Sequence, residues 1–209
     1  MVTGRRALGW SAGLMAVYGL VRLVPGSRGV GVGWTVGHLA MFAGLALLGA
    51  GLVGLWRLVG RGSAWGRVWL AAGCAGVASG LVQAGIDLYA NAVAADRADR
   101  SAVFDRVRSV PGVQPLVYGT VPVLLLYTGL IALLVLLSLR RAVPWWSPAL
   151  VLLGTLAMGA SLDFLAVGAA LHLAAFLPVP DTGRGRLRPA GAGAVRGVSG
   201  RSGARAAGE

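Results

Sequence analysis

Lysine is absent from this chain and acid is scarce: 7 Asp and Glu stand against 19 basic residues, every one of them arginine. Charged residues make up 12% of the 209, about half of the roughly 25% usual in a soluble globular domain, which excludes most soluble architectures. The single cysteine, Cys74, excludes an intrachain disulfide and reads as a buried thiol. The two histidines, His38 and His172, stand outside any HxxxH, HExxH or CxxCH spacing, so no metal or haem site is expected and no cofactor is named. Walker, Rossmann and Ser-His-Asp patterns are missing too, and the glycines of GVGVGW and GLVGLW lack the strand-turn-helix context of a phosphate loop.

What the chain has in abundance is apolar text, with 56% hydrophobic residues and 34 glycines. Five long apolar tracts, at about 7–24, 31–55, 68–90, 116–139 and 148–177, are separated by short arginine-bearing connections, and a membrane-crossing helix needs about 20 such residues. The fold class expected is an all-α integral membrane protein, a compact bundle of five transmembrane helices over 1–182. The first tract follows Arg5 and Arg6 but ends in VRLVPGSRG without a small-x-small cleavage site, so it reads as a retained span rather than a signal peptide. Residues 183–209, rich in Gly and Arg with few apolar anchors, read as a disordered tail. The stretch from Asn91 to Pro115 reads as the one sizeable connection outside the membrane, either extending the third helix or forming a short surface helix.

The arginines lie in connections and tail, where they suit lipid headgroups and topology control, so the partner expected is the lipid bilayer and not nucleic acid. A bacterial plasma membrane is the expected location, with a membrane-protein partner or a small ligand as further possibilities. Orientation turns on the fifth tract. If 148–177 crosses once, the side of Arg5, Arg6, Arg57, Arg61, Arg67, Arg140 and Arg141 holds seven arginines against twelve. If it turns back near Asp163, the tail returns and the count becomes thirteen against six. A single crossing is the expectation, because ASLDF contains no proline or glycine pair to mark a turn.

Polar side chains gather in one half of the membrane. Arg22, His38, Gln83, Asp87, Asn91 and Tyr118 share it, and Gln83, Asp87 and Asn91 are spaced i, i+4, i+8 along one helix face. Groups at such depth normally face the bundle interior or a wet cavity, and these six form the candidate polar pocket, with Arg22 as counter-ion to Asp87. His172 joins them if the fifth tract crosses once. Asp163, nearest the centre of that tract, is expected as a midplane carboxylate. It could hydrogen-bond between helices, relay protons or cations, or mark a helix break. The function expected is a non-enzymatic accessory or small-ligand-binding membrane component. The alternative is a small intramembrane enzyme or proton/cation-translocating protein that uses His38, Asp87 and Asp163.

Overall fold

The computed structural model describes residues 4–181, and among them every regular element is a helix. The elements are α1 (Gly4–Leu23), α2 (Val32–Val59), α3 (Ala64–Val93), α4 (Arg97–Arg108), α5 (Thr120–Leu139), α6 (Trp146–Ala160) and α7 (Leu165–Phe176), with a π-helical turn at Gln114–Tyr118 and a 3-10 turn at Leu162–Phe164. Three stretches are long and apolar enough to cross a membrane: Val32–Val59, Ala64–Val93 and the continuous Gln114–Leu139. α1 is 20 residues long but carries Arg5, Arg6 and Arg22 within its length. The tail reading for 183–209 lies outside the described residues.

Six helices form a ring in which each packs on the next: α1 on α2, α2 on α3, α3 on α5, α5 on α6, α6 on α7, and α7 back on α1. Neighbours run antiparallel, and small residues let their backbones meet. A Cβ at Gly76 of α3 would lie 2.5 Å from the Leu126 nitrogen of α5, and one at Gly129 would lie 2.6 Å from the Gly73 nitrogen. Such small-residue seams permit helix packing where solvent supplies no hydrophobic drive. α2 also reaches α5 across the ring. Leu52, Leu55, Leu130, Leu133, Leu134 and Leu137 bury themselves there, and Val59, Val143, Phe176 and Val179 belong to the same cluster. This large core occupies the end of the bundle that carries the α2–α3 and α5–α6 connections. At that end the Arg140 guanidinium donates to the Val59 carbonyl, tying those two connections together.

The fifth apolar tract is not the one continuous helix that a single crossing implies. It is two helices of 15 and 12 residues, roughly 22 and 18 Å long, each short of a hydrocarbon core of roughly 30 Å. They pack on each other as an antiparallel hairpin, Gly154 against Gly168 and the Val151 carbonyl against His172. The cause of the break is Ser161. Its backbone is extended (φ −158°, ψ 140°) and its hydroxyl accepts from the Asp163 N–H at 3.2 Å, so the residue ends α6 and caps the turn that starts α7. α7 then runs back along α1, with Gly19 against Ala166 near the turn and Gly9 facing Leu173 further on. Asp181 ends 4.0 Å from Arg5, at the end of the bundle where α1 begins.

Candidate functional site

Three of the six expected pocket residues meet at the end of the bundle opposite the large core. Asp87, on α3, has its Oδ2 3.6 Å from His38 Nε2 of α2, and its Oδ1 accepts from the Tyr118 hydroxyl at 3.2 Å. The His38 side chain is 4% exposed and that of Asp87 10%, so the pair is shielded on all sides. Tyr118 arrives from the π-helical turn before α5, where Pro115 occupies the first turn and lacks an N–H to donate.

The tautomer follows from the neighbours. His38 Nδ1 lies 2.9 Å from the Trp34 carbonyl, and a carbonyl only accepts, so Nδ1 carries hydrogen. Nε2 therefore faces Asp87 either as the second N–H of an imidazolium or as a lone pair meeting a carboxylic acid. Their 3.6 Å separation exceeds the roughly 2.6–3.2 Å of direct proton transfer.

Trp34 organises this site and was not among the expected residues. Its indole stacks on His38 with ring centroids 4.1 Å apart, donates to the Asp87 carbonyl at 3.1 Å, and lies under the Arg100 guanidinium at 4.0 Å. The i, i+4 spacing of Trp34 and His38 on α2 was the available signal. Arg100 is 6% exposed and donates to the Arg28 carbonyl at 2.9 Å, which straps α4 over the start of α2. Burial, with the charge of Arg97 adding, holds its guanidinium below its ordinary pKa, and it remains a cation. Arg108 sits over the Tyr118 ring at 4.9 Å.

The other expected residues go elsewhere. Asn91 shares the α3 face but binds the α1–α2 connection, accepting from Gly31 N–H at 3.2 Å and donating to the Thr35 hydroxyl at 3.0 Å. Arg22 is not the counter-ion of Asp87. It points back along α1 to the Tyr18 hydroxyl at 3.4 Å, since i−4 on its own helix is nearer than α3, and His38 takes the place beside Asp87. Asp163 is not at the centre of a helix. It sits in the turn of the hairpin, with its side chain 55% exposed, and pairs with Arg28 at 2.6 Å. His172 is removed from the polar layer because α7 runs back. It packs at the level of the large core, against Tyr127, Phe176 and the Val151 carbonyl.

Gln83, one turn from Asp87, belongs to a separate feature. All six ring helices line a cavity of about 660 Å³ that lies between the large core and the His38 cluster. The α3 wall is Gly76, Gly80 and Gln83, and the hairpin contributes Thr155, Gly159 and Ser161. The interior is left open where the hairpin ends at this level, with Gly159 of the hairpin having open space beside it. Tyr18 lines the cavity and also meets the His38 ring edge-on at 5.3 Å, so the cavity and the Asp87 cluster share a wall. No three His, Cys, Asp or Glu side chains converge as a metal site among the described residues.

Compared with protein-family models, curated proteins and solved structures, the chain matches none. The class that fold and site define is therefore an all-helical bundle with three apolar helices of membrane-crossing length and an internal cavity.

Proposed function

We propose that this chain is a non-enzymatic, multi-pass protein of a bacterial plasma membrane that holds a small ligand inside its helix ring. The observation that carries this reading is the cavity of about 660 Å³, within the roughly 300–1,000 Å³ of small-molecule sites and, like them, mostly apolar with a few placed polar groups. Of the five apolar tracts, four cross the bilayer once, and the fifth enters and turns back at Ser161–Phe164. Arg28, from the connection on the far side, reaches the turn and neutralises Asp163. With the fifth tract returning, the chain reaches Asp181 at the end that carries Arg5, Arg6, Arg57, Arg61, Arg67, Arg140 and Arg141, and that end is read as cytoplasmic.

Gly159 offers the test. It lines the cavity, and a Cβ added there meets no atom within 4 Å. Native mass spectrometry of the protein released from membranes should show a co-purifying small molecule on the wild type and its loss from Gly159→Leu at unchanged melting temperature. Wild-type protein free of adducts, or equal adducts on both forms, would count against the reading.

The buried contact between His38 and Asp87, two side chains able to take up and release protons, favours a second reading, a proton-translocating protein. In liposomes, proton flux present in the wild type and lost in Asp87→Asn would support it. The ligand-binding reading expects equal, background flux from both.

A further inference from the structure

The cavity's lining identifies the class of molecule it takes. No Arg, Asp, Glu or His side chain lines it, so an ionised ligand would give up its hydration with no opposite charge in return. Its polar side chains are Tyr18, Gln83, Tyr127, Thr155 and Ser161, and four of them already make a hydrogen bond to the protein. Tyr18 accepts from Arg22, Tyr127 donates to the Met158 sulfur, Thr155 donates to the Val151 carbonyl, and Ser161 caps the hairpin turn. Gln83 is the exception: its amide has no hydrogen-bond partner among the described residues, although it sits half-buried on the cavity wall. A primary amide donates and accepts, and it is complementary to a carbonyl or a hydroxyl.

The mouth of the cavity points the same way. The exposed lining residues are Val123 on α5 and Gly159, Ala160 and Leu162 at the hairpin turn. They are apolar and lie on the flank of the ring, below the polar cluster of His38, Asp87 and Tyr118. A flank opening of this kind faces hydrocarbon when the ring stands in a bilayer.

We infer that the cavity admits an uncharged, hydrocarbon-rich molecule from the lipid phase and holds its single carbonyl or hydroxyl group against the Gln83 amide. This rests on the ligand-binding reading above and adds to it the class of ligand, the recognising residue and the route of entry. A site built for one such hydrogen bond discriminates against a molecule that lacks it, because the site's polar group is then left unpaired.

The test uses the full chain in lipid nanodiscs, with empty nanodiscs subtracted, and tritiated probes that differ only in the head: dodecanol, dodecanone, dodecane, dodecanoate and dodecyltrimethylammonium. Dodecanol and dodecanone should bind saturably and about tenfold more tightly than the other three. Gln83→Leu should remove that advantage over dodecane while dodecane binding and melting temperature stay unchanged. Gly159→Leu should remove saturable binding of every probe. Dodecanoate or dodecyltrimethylammonium binding as tightly as dodecanol would overturn the neutral class yet leave cavity binding intact. Dodecane matching dodecanol in the wild type would overturn the role of Gln83. Absence of saturable binding for all five probes would overturn the cavity reading itself, and the inference with it.

Discussion

The imidazole of His38 can satisfy the Trp34 carbonyl in one way only, and that choice fixes what its other nitrogen offers Asp87. Removing either partner costs the other one shielded polar contact while Tyr118 still donates to Asp87 and His38 still donates to the Trp34 carbonyl, a loss of about 1–3 kcal/mol. His38→Ala and Asp87→Asn should therefore each lower unfolding stability in detergent, and the double variant should lose less than the sum, with a coupling of about 1 kcal/mol or more. Strict additivity would mean that the two side chains do not act as a pair. At this scale the sequence was partly informative. The i+4 ladder on α3 places Asp87 and Asn91 on one face, and their polarity implies shielding. It does not say which cation approaches, and Arg22 loses that place to His38 because its own helix offers Tyr18 first. Trp34 was hidden because tryptophans near tract ends read as interfacial anchors, and only the fold shows this one turned inward beneath Arg100.

Helices in this ring approach through small residues, and the seam between α3 and α5 is the tightest that can be probed simply. A Cβ at Gly76 would lie 2.5 Å from the Leu126 nitrogen and 2.6 Å from the Pro122 carbonyl oxygen, both of them backbone atoms that cannot move aside alone. Gly76→Ala should cost about 1–3 kcal/mol by forcing the helices apart. Gly85→Ala, on the same helix with nothing within 4 Å of the new methyl, should stay within about 0.5 kcal/mol of the wild type. Equal losses at both sites, read by thermal unfolding in one detergent, would contradict the close seam. Glycine abundance masked this distinction in the sequence, since GxxxG spacing occurs by chance where 34 glycines are spread over the chain. The hairpin break was legible in principle. A serine two residues before an aspartate is a helix-start signal, and Ser161 with Asp163 is one, although no proline or glycine pair accompanies it.

At the scale of the whole molecule, apolar tract length was readable and tract count was not a count of helices. The tract 148–177 contains enough apolar residues for one long helix, and periodicity alone cannot tell that from two short ones folded together. The consequence reaches every functional statement, because the turn at Ser161–Phe164 supplies one wall of the cavity and sends α7 back beside α1. Single-cysteine labelling tests it most directly. With Cys74→Ala as background, membrane-impermeant maleimide would be applied to sealed vesicles of each orientation carrying Gly62→Cys, Ser101→Cys or Pro180→Cys, at three exposed positions. Pro180→Cys is expected to label from the same side as Gly62→Cys and from the side opposite Ser101→Cys. Labelling of Pro180→Cys together with Ser101→Cys would mean that the fifth tract crosses once, and would contradict the hairpin and the cavity it closes.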